Sequence, residues 1–209
     1  MNLSDISILT ATFNQHDFTL NMLKSFYANV SKIFPQTYIL DNSTVNMFPK
    51  YQHSIIHVID NTNFKHTKDY NQPSKNHCSS IDYAFHLIET PYILLCDNDI
   101  VFRPSMRDLL CSYQSYDIIG EIGWDRVRPD RLYPYMCIIN LDLVKRSKIH
   151  YFDESRCMIR NDYMDTGCSF WNDMKAITQR IKKVKISDYI IHLKGGTLHN
   201  KSIDMLPSY

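Results

Sequence analysis

Glycine is scarce in this chain of 209 residues: Gly120, Gly123, Gly167, Gly195 and Gly196 are all it has, and none lies in the first 119 positions. Neither GxGxxG nor GxxxxGK[ST] occurs, which excludes the two common glycine-rich phosphate cradles. Long apolar runs are missing too. Tyr92–Cys96 and Met136–Ile139 are the longest, far short of a bilayer span. The opening Met1-Asn-Leu-Ser-Asp5 has no basic stretch leading into an apolar one, so no secretory signal is expected. There is no excess of either charge: 23 Lys and Arg face 22 Asp and Glu, for a net +1. A nucleic-acid partner would call for a basic stripe, and none is present. The short cluster from Arg180 to Lys185 reads as the solvated end of a helix. Six cysteines show no CxxC spacing. Cys96 and Cys137 sit within apolar runs and read as reduced core residues of a cytoplasmic protein.

The composition is that of a globular chain, with 44% hydrophobic and 22% charged residues. Short β-branched runs alternate with helical spacings. Strands are expected at 6–11, 37–40, 54–59, 92–96, 132–139 and 184–193, and helices at 17–30, 74–89, 106–113 and 165–177. Strand–helix alternation implies a mainly parallel sheet with helices on both faces, an α/β fold in a single domain over 1–209. Ligands of such sheets bind beyond the carboxyl ends of the strands. Three of the expected strands run straight into Asp-Asn: Asp41-Asn42, Asp60-Asn61 and Asp97-Asn98. Asp and Asn are good turn formers, but three such ends on one rim point to a polar ligand site. In Asp97-Asn98-Asp99 two carboxylates two residues apart suit Mg²⁺ or Mn²⁺ held together with a substrate diphosphate.

The ordered set of motifs resembles the GT-A glycosyltransferases, particularly the family 2-like branch, whose small viral and bacterial members share this size. Ile6-Ser-Ile-Leu-Thr-Ala-Thr-Phe-Asn14 resembles the family's opening strand. Tyr38-Ile-Leu-Asp-Asn-Ser43 resembles its second, and Asn76 to Ala84 followed by Thr90 to Asp99 its helix and D-x-D strand. Asp165-Thr-Gly167 and His192-Leu-Lys-Gly-Gly-Thr197 resemble the acceptor-side acid and a late His-x-x-Gly-Gly segment. The resemblance implies a Rossmann-like GT-A domain, with a nucleotide-sugar half over 1–103 and an acceptor half over 104–209. It implies that Thr10, Thr12 and Asp41 hold the nucleoside of a UDP-sugar, Asp41 through the uracil. Asp97, Asn98 and Asp99 would serve the ribose, metal and diphosphate, with His192 as a late metal ligand or diphosphate contact. The cofactor is then Mn²⁺ or Mg²⁺, the acceptor a glycan or other hydroxyl, and the setting cytoplasmic, host cytoplasm if the chain is viral. One departure stands out: the Glu-Asp pair that often supplies the base in family 2 is missing.

The implied reaction, inverting in outcome, needs a carboxylate near the anomeric carbon to take the proton of the attacking hydroxyl. Asp165 is assigned that role, although Asp before Thr-Gly at a helix start is also a good N-cap. His77, near a helix start, either faces the diphosphate or caps the helix. Trp124, beside Asp125 and Arg126, stacks on a sugar or fills the core. Arg128, Arg131 and Tyr133 line an acceptor cleft or cover the surface, and His199 competes with His192 as ligand. A sugar nucleotidyltransferase would carry a glycine-rich basic loop where Thr12-Phe-Asn-Gln-His16 stands. A nucleotide- or carbohydrate-binding module without turnover is the reading outside enzymes.

Overall fold

The computed structural model describes residues 3–43, 48, 54–60, 73–125, 128–151, 158–159, 162–163 and 168–193, with backbone alone for 73–78, 124–125, 128–130, 158–159 and 162–163. In chain order these are β1 (Ile6–Thr12), α1 (His16–Asn29), β2 (Thr37–Asp41), β3 (Ile56–Asp60), α2 (Pro73–Leu87), β4 (Tyr92–Cys96) and β5 (Ile100–Phe102). Next come α3 (Met106–Leu110), β6 (Ile118–Asp125), β7 (Arg128–Asn140), α4 (Leu141–Arg146), β8 (Met158–Ile159), β9 (Asp162–Tyr163), α5 (Cys168–Ile177), β10 (Ile181–Lys183) and β11 (Ile190–His192). Among the described residues, no helix is long and apolar enough to cross a membrane.

Seven strands form the central sheet in the order β10-β6-β7-β4-β1-β2-β3. All run the same way except β7, which is antiparallel to both its neighbours. The sheet is covered on both faces, so its central strands are buried, every residue of β4 among them, while the edge strands β3 and β10 are partly exposed. On one face Ile6, Ile8, Ile39, Leu94 and Ile138 meet Met22 and Phe26 of α1 and Leu109 and Leu110 of α3. On the other, Leu9, Leu40, Ile93, Leu95 and Ile139 meet Ile81 and Phe85 of α2, Val144 of α4, and Phe170 and Met174 of α5.

Two expectations from the sequence need correction. The strand expected over 184–193 is broken: β10 ends at Lys183, a 3-10 turn spans Ile186–Asp188, and β11 starts only at Ile190. The Ile186 N–H donates to the Glu121 carboxylate, which fixes the turn and redirects the chain away from the main sheet. The basic cluster from Arg180 to Lys185 is likewise no helix end, since it holds the edge strand β10. Lysine on an edge strand discourages pairing with another chain. Arg180 is not merely solvated either, since it ion-pairs with the buried Asp117 at 3.6 Å.

Candidate metal and donor site

β1, β2 and β3 end side by side, with Thr12 opposite Asp41 and Asp41 opposite Asp60. β4 ends on the same rim, one residue before Asp97. The rim is therefore polar because parallel apolar strands stop there together.

The D-x-D turn is built from within. Asn98 is buried, and its amide donates to the Thr19 hydroxyl on α1 (3.2 Å) and the Thr12 hydroxyl on β1 (3.4 Å). Those bonds turn Asn98 inward and leave Asp97 and Asp99 on the other side of the turn. The following strand is pinned by the same helix: Phe102 N–H donates to the Ser25 hydroxyl, and Phe102 C=O accepts from the Asn29 amide. With β5 so anchored, β11 pairs with it antiparallel, His192 opposite Ile100, and Leu193 N–H donates to the Asp99 carbonyl. That pairing carries a histidine from far along the sequence to the D-x-D turn.

His192 Nε2 lies 3.2 Å from Asp99 Oδ1 and 3.9 Å from Asp97 Oδ2. One ligand atom from each of the three residues falls within 4.8 Å of the others. Burial pushes the Asp97 carboxyl up to about 7, the Asp99 carboxylate beside it adds to the rise, and His192 opposes it. Two carboxylates this close, Asp99 buried and Asp97 half-buried, repel each other, and a divalent cation between them would remove that cost. The donor set, two hard oxygens and an imidazole, fits Mn²⁺ well and Mg²⁺ less well.

A pH dependence follows from Asp97. Its folded carboxyl titrates above the unfolded value, so between about pH 4 and pH 7 the folded metal-free chain holds a proton that the unfolded chain has lost. The Asp97 contribution to stability is therefore present at low pH and declines as pH rises through that window. Added Mn²⁺ must displace the same proton, so its affinity rises over that range. Thermal melts with and without Mn²⁺ from about pH 5 to pH 8 check both: the stabilisation by Mn²⁺ should grow with pH, and a constant increment overturns the assignment.

Asp41 is fully buried. Its two oxygens accept from the backbone N–H groups of Ser43 and Phe48, and His16 Nε2 stands 4.0 Å away. It holds the chain after β2, and a base reaches it only if that covering shifts. Thr12 is buried against Asn98, and the buried Thr10 hydroxyl has no hydrogen-bond partner among the described residues. His77 lies in the first turns of α2, with its side chain outside the described residues, as are Asp165 and His199. The rim brings together Thr12, Asp41, Asp97, Asn98, Asp99 and His192. Phe13, at the same rim and 52% exposed, escaped the sequence reading. A large aromatic followed by Asn directly after an apolar strand was the available signal, and the structure puts that Asn14 in the left-handed region at φ 55°.

No protein-family model and no curated sequence matches the chain. Its shape does match solved structures at low identity. S. aureus TarS 1–349 in complex with UDP-GlcNAc aligns with 89% of this chain and 57% of its own, at 15% identity and a TM-score of 0.54. An active-site mutant of LgtC aligns over 86% and 72%, at 12% identity and a TM-score of 0.57; LgtC is a galactosyltransferase. A mannosyltransferase from Pyrobaculum calidifontis, PcManGT, in complex with GDP-Man and Mn²⁺ aligns over 88% and 55%, at 10% identity and a TM-score of 0.57. The chain spans 59% of the length of TarS 1–349. The sheet order, the helices on both faces and these alignments agree: the chain has the GT-A fold.

Proposed function

We propose that the chain is a metal-dependent glycosyltransferase that moves a sugar from a UDP-sugar to an acceptor hydroxyl with inversion. The observation that carries this reading is the Asp97–Asp99–His192 cluster at the carboxyl rim of a GT-A sheet. As the glycosidic bond breaks, negative charge grows on the diphosphate; Asp97, Asp99 and His192 would hold a divalent cation, which would supply the charge that stabilises it without a proton. It also accounts for how a chain of net charge +1 attracts an anionic donor. Asn98 orients the two carboxylates through Thr12 and Thr19. Phe13 offers an aromatic face to the base, and Asp41 an acceptor for the uracil N3–H once its covering shifts. Two of the roughly four acceptor sites of that carboxylate are taken by Ser43 and Phe48. Asp165, the first residue of Asp165-Thr-Gly167, is the base that takes the acceptor proton. TarS with UDP-GlcNAc and PcManGT with Mn²⁺ support the donor class and the cofactor.

Isothermal titration of UDP, GDP and CMP with Mn²⁺ present tests the donor assignment. UDP should bind most tightly, and Asp41→Asn should weaken it; tighter GDP or CMP overturns the uracil contact. Hydrolysis of UDP-sugars with and without Mn²⁺ then separates an enzyme from a binding module, which would hold the donor and not turn it over.

A further inference from the structure

The strand that borders the D-x-D turn is bulged. β7 pairs with β6 at Cys137↔Gly120 and next at Leu132↔Ile122. Tyr133 to Met136 on β7 therefore face the single residue Glu121 on β6. Bulges re-aim side chains and collect beside functional sites, and Pro134, which has no N–H to give a ladder, is suited to this one. Two tyrosines are thrown out on the same side. The Tyr135 ring packs on the His192 imidazole, with centroids 4.4 Å apart and planes at 30°. Tyr133 stacks on Tyr135 at 5.6 Å and 8°, and the Arg131 guanidinium lies over Tyr133 at 5.0 Å. Gly123 makes room for this: a Cβ there would fall 2.1 Å from the Tyr133 ring. The Tyr135 carbonyl also accepts from the Asp97 N–H at 3.2 Å.

Tyr135 thus touches both halves of the cluster, Asp97 through its backbone and His192 through its ring. The opposing Glu121 holds the 3-10 turn that aims β11. We propose that Tyr135, backed by Tyr133 and Arg131, is a positioning residue that fixes the imidazole plane of His192 against Asp97 and Asp99. This rests on the metal-site reading above. A short strand such as β11, three residues long, places a backbone but leaves a side chain its rotamers. A flat ring against the imidazole removes that freedom, and the stack keeps the ring itself in place. The two faces of the Tyr133 ring are taken up in this stack, one by Tyr135 and one by Arg131.

The test is Mn²⁺ binding by the full chain, measured by titration calorimetry and by the electron paramagnetic resonance of free Mn²⁺. Tyr135→Leu removes the flat face, and outer-shell losses of this kind cost about 10–100-fold in metal affinity. Tyr135→Phe keeps the face and should bind as the parent does. Tyr133→Leu should fall between. Proton spectra give a readout free of metal: the His192 ring protons, shifted by the Tyr135 ring current, should move in Tyr135→Leu and stay in Tyr135→Phe. The decisive comparison is the His192→Ala background, where Tyr135→Leu should lower affinity no further. An equal loss in both backgrounds assigns the effect to the Asp97 amide and overturns the proposal. So does parental affinity in Tyr135→Leu when the parent binds Mn²⁺. A parent that binds no Mn²⁺ overturns the metal reading itself, and this proposal with it.

Discussion

Asp99→Asn is expected to slow sugar transfer about 10³-fold, because polarisation of a leaving group by a bound cation is worth several kcal/mol. The variant keeps the shape of the side chain and a contact to His192, whose Nε2 is 3.2 Å from the parent oxygen. It loses the negative charge that a divalent ion needs. Asp99 raises the Asp97 carboxyl, so removing its charge relieves a repulsion and the metal-free variant should melt no lower than the parent. The Leu193 N–H still finds its acceptor, which is the backbone carbonyl of residue 99. Steady-state transfer assays with a Mn²⁺ series, paired with thermal melts, give both numbers. Asp97→Ala should lose metal-dependent donor binding in the same way. Activity that survives EDTA unchanged would defeat the metal assignment outright.

Asp165→Asn is expected to turn over about 10²–10⁴ times more slowly while binding donor normally, the range set by loss of a general base. Asn keeps the size and polarity of Asp and removes only its basicity, so the melting temperature should hold. Asp165→Ala should lose the same activity. Near-parental turnover in Asp165→Asn with the true acceptor removes Asp165 from the role of base. The base then passes to Asp162, at the start of β9, and after it to Glu154 and Asp125. Donor hydrolysis does not decide this, because water needs less positioning than a specific hydroxyl.

The rim was legible in the sequence because apolar strands announce their own ends. Tyr92-Ile-Leu-Leu-Cys96 runs into Asp97 without a break, and the structure ends β4 there. The second half was harder to read. β6 carries two glycines and two acids, Glu121 and Asp125, within Ile118–Asp125, so no period of two stands out. β5 and β11 have three residues each, too few for periodicity; they pair with each other, and α1 anchors β5. α4 is six residues long and escaped as well, although Asn140 accepts from Leu143 N–H as an N-cap, a signal that was there to read. The tyrosine bulge had one local sign, Pro134 within the strand, but its register depends on Glu121 across the sheet. The His192 motif was found by resemblance; the geometry that brings it within 3.2 Å of Asp99 comes from tertiary pairing.

The reversed direction of β7 has one more consequence, for how such a fold can be altered. Because β7 runs against its neighbours, β6 and β7 form a hairpin whose arms pass the level of the Cys96↔Met136 pair and continue to Asp125↔Arg128. Beyond that level the hairpin is held by Leu132 in the core, by the bond from Ile186 N–H to Glu121 and by Tyr135 against His192. Doubling the length of a closed loop costs only about 0.6 kcal/mol. The tip between Asp125 and Arg128 can therefore be lengthened, trimmed or exchanged without disturbing the strands that seat Asp97, Asp99 and His192. A grafted tip would leave the strands below it as they are, which makes this hairpin the natural place to alter the domain.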